Sequence, residues 1–371
     1  MSSELLSSEI LSAVTNYVAG LKKSVTFVLQ TGAHEKRGEL VDFLSTLAAT
    51  SPSLALEQRD TQGLLRSPIS FTLEADEAAT GIIFSGIPSG HEFNSLILAI
   101  LQSGDASDLK LDASIIETVR SVSQPLRFEV FISLSCHNCP DVVQTLNKFA
   151  LLNEKISTEM IDGGLFQGLI KEREIQGVPS VFMNGELFVN GKVDTASIID
   201  KLRPIAVKKD TATKHSTPEQ DVVVIGGGPA AISAAIYSAR KGFSITVIAE
   251  KLGGQVKDTM DIENLISVPS TTGTKLTGKL HEHLREYNVT LREHLRVTDI
   301  EQGEPKRLRL SSGELLQARA VIIATGANWK ELGIPGEKEN IGNGVAFCPH
   351  CDGPFFKGKD IAVVGGGNSG V

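Results

Sequence analysis

An all-apolar strand that runs without a break into a glycine turn and then a helix constrains this chain more than any other feature. Residues 221–225 read Asp-Val-Val-Val-Ile, Gly226-Gly227-Gly228-Pro229-Ala230-Ala231 follow at once, and a helical pattern continues to about Lys241. A strand apolar on both faces belongs inside a parallel sheet covered by helices. Gly226 and Gly228 allow a tight turn and close backbone approach to a pyrophosphate, and the small Ala231 lets helix and strand pack closely. Gly242 ends the helix, 244–249 reads as the next strand, and Glu250 at its end is suitably placed to accept from a ribose hydroxyl. A lone glycine run is a weak signal. Strand, turn, helix and acidic residue in this order favour a dinucleotide-binding unit over a purely structural turn.

The pattern recurs near the end, where Ile361-Ala362-Val363-Val364 leads into Gly365-Gly366-Gly367-Asn368-Ser369-Gly370. Its helix and ribose-binding residue would lie past Val371, so the sequence does not separate NADH from NADPH at that site. A chain that stops where a helix should open reads as part of a longer protein. Between the two fingerprints, 321–327 reads Val-Ile-Ile-Ala-Thr-Gly-Ala, a buried strand entering a glycine turn.

All four cysteines fall in two Cys-x-x-Cys pairs, Cys136-His137-Asn138-Cys139 and Cys348-Pro349-His350-Cys351. A strand precedes the first pair and a helix at 141–152 follows, its core face marked by Val142, Val143, Leu146, Phe149 and Ala150. Cys136 is thereby placed at a helix N-terminus, where unpaired N–H groups and the helix dipole stabilise a thiolate. Cys139, one turn on, is near enough to close a disulfide and to resolve a mixed one. With Pro179 downstream, this predicts a thioredoxin-type redox domain. The competing reading, a four-cysteine zinc site, needs the pairs to converge from separate domains, whereas such sites usually keep them close in sequence. No metal is expected, and His137 and His350 read as solvated loop residues. Two dinucleotide sites with a dithiol between them imply a two-electron relay from nicotinamide through flavin to sulfur.

Residues 1–203 read as one unit written twice. The first copy has strands at 25–29 and 81–85 and helices at 39–47 and 92–101; the second has strands at 128–133 and 186–189 and helices at 141–152 and toward Leu202. Pro68 and Pro179, each before a β-type run, anchor the repeat as candidate cis-proline turns. In the first copy Gly32-Ala33-His34-Glu35 stand in the stretch that corresponds to the dithiol, so that copy has no thiol chemistry and a docking or positioning role is expected. Residues 204–219 are polar and charged after Val207 and read as an exposed linker, whose flexible reach is roughly 20–25 Å.

Composition narrows the class. Lys plus Arg number 36 against 44 Asp plus Glu, a net charge of −8, which leaves no cation excess for nucleic acid or an anionic membrane. Four cysteines in 371 residues do not make an extracellular disulfide framework, and the start has no basic and apolar export signal. The longest uncharged stretch, 222–239, is interrupted by glycines, a proline and serines and is not read as a membrane span. A cytoplasmic α/β protein is expected.

Taken together, CHNCPD, GGGPAA, GGQV at 253–256, IEN at 262–264, ATGA, CPHCDG and GGGNSG resemble the flavoprotein components of bacterial alkyl hydroperoxide reductases, relatives of the low-molecular-weight thioredoxin reductases. The resemblance spans the whole chain. It implies tandem thioredoxin-like domains (1–120 without the cysteines, 121–203 with them), the 204–219 linker, an incomplete Rossmann-type FAD domain at 220–332 and the start of a Rossmann-type NAD(P) domain at 333–371. It implies FAD held around Gly226, Gly228, Pro229, Ala230, Glu250, Gly254, Gln255, Asn264, Thr325 and Gly326, with NADH or NADPH at Gly365, Gly367, Asn368 and Ser369. Electrons would pass from NADH to FAD, to Cys348–Cys351 with Cys351 nearest the flavin, and from Cys348 to Cys136–Cys139. Asp352 would be the acid–base group, with a helix or turn cap as its plainer alternative. Cys136 would then reduce a separate two-cysteine peroxiredoxin that removes alkyl hydroperoxides and hydrogen peroxide, and a homodimer is implied. A chain ending at Val371 is expected to bind FAD poorly and not to turn over NADH. The alternative reading is a thioredoxin reductase with a fused thioredoxin-like domain, against which the cysteine-free first copy argues.

Overall fold

The computed structural model describes residues 6–107, 109–136, 138–175, 177–191, 193–206, 218–259, 262–327, 330–337, 340, 344–345 and 358–367. The chain divides into two compact units, residues 1–208 and 209–371.

The first unit opens with α1 (Ser8–Val18), whose first turn is capped by Ser7 Oγ accepting from the Ile10 N–H at 3.3 Å. The first repeat follows as β1 (Val25–Gln30), α2 (Arg37–Ala48), β2 (Leu54–Arg59), β3 (Ser70–Ala75), β4 (Ala78–Ser85), a 3-10 turn (Gly90–Glu92) and α3 (Phe93–Gly104). After α4 (Ala113–Arg120) comes the second: β5 (Leu126–Ile132), α5 (Cys139–Leu152), β6 (Ile156–Asp162), α6 (Gln167–Glu172), β7 (Ser180–Met183), β8 (Glu186–Asn190) and α7 (Thr195–Leu202). In both repeats the first strand pairs in parallel with the second and antiparallel with the third. The repeat therefore holds at the level of topology, and each copy is thioredoxin-like.

The two copies do not form separate sheets. Ile82 to Ser85 of β4 pair in parallel with Thr158 to Ile161 of β6, giving one sheet in the order β2-β1-β3-β4-β6-β5-β7-β8. Alone, β4 and β6 would each present unpaired backbone groups at a sheet edge, and their pairing removes both edges. The proline anchor is also out of step. Pro179 directly precedes β7 and the Val178–Pro179 bond is cis, whereas Pro68 stands one residue further from β3 and its bond is not cis. Arg37 fills that corner of the first copy, its guanidinium donating to the carbonyls of Gln30 and Pro68 and, at 2.9 Å, to Gln58 Oε1.

The second unit is Rossmann-type: β9 (Gln220–Ile225), α8 (Pro229–Arg240), β10 (Ile245–Ala249), a 3-10 turn (Gly254–Asp258), α9 (Gly273–Arg285), β11 (Val289–Glu293), β12 (Val297–Glu301), β13 (Lys306–Leu310) and β14 (Leu315–Ile323). Strands β11-β10-β9-β14 run parallel, and β13 and β12 continue the sheet antiparallel. Ala231, Ala235 and Ile236 of α8 and Leu284 of α9 bury against Val222, Val224 and Val247, so the alternation of apolar strand and small-residue helix is the core itself. No described helix is long and apolar enough to cross a membrane. The strand expected at 361–364 is not formed: no described strand pairs with it, and Ile361, Val363 and Val364 are 65%, 62% and 69% exposed. An apolar strand of that type needs sheet neighbours and covering helices, and no described element supplies them.

Candidate active site

Cys136 and Cys139 are joined as a disulfide with their Cα atoms 5.5 Å apart. Helix α5 starts at Cys139, earlier than its apolar periodicity indicates, because Pro140 fits the first turn, where its missing N–H costs no hydrogen bond. Cys139 is buried and Cys136 half-buried. The Cys139 N–H lies 3.2 Å from Cys136 Sγ, and the carbonyl oxygen of Val178, on the cis-proline turn, lies 3.8 Å from the same sulfur. When reduced, such a pair is asymmetric: Cys136 is reachable and has an N–H and a helix N-terminus to stabilise its thiolate, while Cys139 is enclosed. The arrangement suits attack by Cys136 and resolution by Cys139.

A second group lies outside the candidates that the sequence marks. Glu92 ends the 3-10 turn of the first repeat, and that turn is stitched to the dithiol loop by the His91 N–H, which donates to the Leu134 carbonyl at 3.1 Å. Gly90 must be small here, since a Cβ would come within 2.6 Å of the same carbonyl oxygen. Glu92 is fully buried and neither carboxylate oxygen has a hydrogen-bond partner. Burial pushes its carboxyl up to about 7; the nearby Ser95 hydroxyl opposes the shift and the negative charge of Asp141, in the first turn of α5, adds to it. Gln144 of α5 in turn donates to Ser95 Oγ at 3.3 Å. An acid that titrates near neutrality is thus packed against the helix that carries the dithiol. In the sequence it reads as the exposed start of a helix, and the only hint is a carboxylate set among apolar residues.

In the second unit the glycine turn is a cradle that side chains would fill. Gly226 has φ +127°, and a Cβ there would fall 2.1 Å from the Ala324 carbonyl oxygen; one at Gly227 would fall 2.4 Å from that of Lys251. Gly228 caps α8 and Pro229 opens it, so the free N–H groups of the first turn, around Ala230, face the turn. Gly254 sits close enough that its Cβ would be 3.1 Å from the Gly228 Cα, and the Gln255 amide donates to the carbonyl of Ala327, tying this turn to Thr325 and Gly326 beyond β14. The backbone of these segments fits a dinucleotide pyrophosphate. Glu250, at the end of β10, is ion-paired with Arg296 Nε at 2.9 Å, a partner not apparent in the sequence. Asn264 stands exposed on the loop closed by the Ile262–Thr271 bridge. Gly365 and Gly367 are exposed, and a Cβ at either would meet nothing within 4 Å. Cys348, Cys351, Asp352, Asn368 and Ser369 lie outside the described residues.

Comparison with known proteins agrees with this division. Residues 220–371 match the pyridine nucleotide-disulphide oxidoreductase family and residues 126–203 a thioredoxin domain family. The alkyl hydroperoxide reductase flavoprotein AhpF of Staphylococcus aureus is 44% identical over 369 residues, 99% of this chain and 71% of the relative. Its counterpart in Pseudomonas aeruginosa is 43% identical over 371 residues, 99% of this chain and 70% of the relative. Among solved structures, a variant of Enterococcus faecalis AhpF matches with TM-score 0.50 and 34% identity, covering 54% of this chain and all (100%) of that one.

Proposed function

This chain belongs to the AhpF family of alkyl hydroperoxide reductase flavoproteins, within the pyridine nucleotide-disulphide oxidoreductases, and on that premise we propose that it passes electrons from NADH, through Cys348–Cys351 and then Cys136–Cys139, to a two-cysteine peroxiredoxin that removes alkyl hydroperoxides and hydrogen peroxide. Its working form is a cytoplasmic homodimer, with the inert thioredoxin-like domain at 1–120, the dithiol domain at 121–203, a linker at 204–219, the FAD domain at 220–332 and the start of the NAD(P) domain from 333. FAD, held by Gly226, Gly228, Pro229, Ala230, Glu250, Gly254, Gln255, Asn264, Thr325 and Gly326, would supply the two-electron step between nicotinamide and sulfur. NADH or NADPH would be taken at Gly365, Gly367, Asn368 and Ser369.

The observation that carries the exit step is the disulfide at the start of α5, half open to solvent at Cys136 and closed at Cys139. Once Cys348 has reduced this pair, with Asp352 as its acid–base group, the Cys136 thiolate attacks the peroxiredoxin disulfide. One partner sulfur joins Cys136 and the other leaves as a thiolate. Cys139 then attacks Cys136 Sγ, the Cys136–Cys139 disulfide re-forms and the second partner sulfur departs. Glu92 accepts the proton that Cys139 must lose, a task that suits an acid titrating at about 7.

The test is NADH consumption in the presence of peroxide by the chain extended to the length of its relatives, with either a two-cysteine peroxiredoxin or thioredoxin added. Fast turnover only with peroxiredoxin is the expected result. Turnover only with thioredoxin would overturn the partner assignment in favour of a thioredoxin reductase with a fused domain.

A further inference from the structure

Two carboxylates face each other across the first unit's sheet where charge is least tolerated. Glu129 of β5 and Glu159 of β6 are register partners, 6% and 1% exposed. Strand alternation puts them on the face of Phe131 and Ile161, which pack with Phe182 and with Leu169 and Ile170 of α6. Like charges directly opposite destabilise a sheet, and burial raises the cost. The cation between them comes from the other repeat. Arg66, on the connection from β2 to β3, donates from Nη2 to Glu129 Oε1 at 2.5 Å and to Glu159 Oε2 at 2.6 Å, and from Nε to Glu159 Oε1. Ser85 Oγ of β4 adds a bond to Glu159 Oε1 at 2.5 Å, and Arg127 Nη2 reaches Glu159 Oε2 at 3.0 Å.

The free oxygen of Glu129 holds the other end of the cluster. Arg173, the C-cap of α6, donates from Nη2 to Glu129 Oε2 at 3.2 Å and from Nη1 to the Gly185 carbonyl at 3.2 Å, with its guanidinium 4.9 Å above the Phe182 ring. From Arg173 the chain runs directly to Val178, whose carbonyl oxygen is 3.8 Å from Cys136 Sγ. A chain of charge-assisted contacts therefore links the cysteine-free repeat to the turn that faces the exposed sulfur.

Taking Cys136–Cys139 as the redox pair proposed above, we propose that Arg66 is a positioning residue for it: by bridging Glu129 and Glu159 it fixes Arg173, and through Arg173 the proline turn against Cys136. Without Arg66 the paired carboxylates no longer both carry charge comfortably, one takes up a proton, and the hold of Glu129 on Arg173 weakens. The cysteine-free repeat then contributes two groups to the dithiol, Glu92 behind it and Arg66 across the sheet.

The experiment uses the whole chain with Arg66→Met, Arg66→Lys and Arg173→Met. The rate at which reduced Cys136 exchanges with a peptide disulfide is measured by alkylation and mass mapping, beside the midpoint of the Cys136–Cys139 couple in dithiothreitol buffers. Arg66→Met and Arg173→Met should both slow exchange by roughly ten- to a hundredfold while the chain stays folded. The midpoint of each should move by about 30 mV, the equivalent of a tenfold change in equilibrium constant. Lys keeps the charge but not the fork, so Arg66→Lys should fall between Met and wild type. If Arg66→Met does not fold, Arg66→Lys and Arg173→Met carry the test. Folded variants that match wild type in both rate and midpoint would overturn the role of Arg66 and leave the proposed function standing. A wild-type Cys136 that does not exchange at all would overturn both.

Discussion

Replacing Glu92 with Gln removes the charge of the buried acid and keeps its shape. Burial lifts the Glu92 carboxyl from its usual 4.5 to about 7. A carboxyl with a raised folded-state pKa binds its proton more tightly in the folded than in the unfolded chain. Its contribution to stability is therefore complete below pH 4.5 and is lost as pH rises through 7. At about 1.4 kcal/mol per unit, the loss is on the order of 3 kcal/mol, and Gln does not suffer it. The Glu92→Gln chain should match wild type near pH 5 and exceed it by up to about 3 kcal/mol near pH 8.5. Hydrogen exchange of β5 and α5 in the oxidised chain, read peptide by peptide by mass spectrometry, reports this locally. At the higher pH those amides should exchange on the order of a hundredfold more slowly in the variant, provided they open with the whole unit. Asp162 is also shifted upward by burial, but it is present in both chains, so their difference isolates Glu92. The same substitution should slow resolution by Cys139 at neutral pH by about a hundredfold or more. Parallel pH profiles for the two chains, with unchanged resolution, would refute the assignment of Glu92 as a buried, titrating acid.

Gly226→Ala should destabilise the second unit by roughly 3 kcal/mol or more and abolish FAD uptake in a flavin fluorescence titration, because φ is +127° and the new Cβ falls 2.1 Å from a backbone carbonyl. Glu250→Ala should leave the melting temperature almost unchanged, since the half-exposed pair with Arg296 contributes no more than about 1 kcal/mol, yet should weaken FAD binding about tenfold in the same titration. Phe131→Ala, which empties a fully buried site under α6, should cost the first unit about 3–5 kcal/mol, measured as faster hydrogen exchange in β5 and β7.

What was legible in the sequence was what local backbone chemistry dictates. Gly226 to Ala231 report themselves because a positive φ, a close carbonyl and a helix start fall within one turn. Cys136 and Cys139 likewise follow from a strand, a helix start and a downstream proline. The repeat was visible too, but the pairing of β4 with β6 was not, since register between distant strands leaves no short-range mark. Pro68 looked equivalent to Pro179, yet the first copy turns its corner with Arg37 instead. Glu92 and Arg66 were missed for the same reason: each acts on the other repeat, and in its own segment each looks like an ordinary surface charge. The strand at 361–364 shows the converse, a clear local pattern that does not form without neighbours.

Above all, the proposed route requires that electrons leave through Cys136. Its most direct test is to reduce the Cys139→Ser chain, mix it with an oxidised two-cysteine peroxiredoxin, and map any mixed disulfide by mass spectrometry. A stable adduct through Cys136 is expected, and none through that pair when Cys136→Ser is used instead. An adduct formed only through Cys348 or Cys351, or a Cys136→Ser chain that still reduces peroxiredoxin at the wild-type rate, would contradict it.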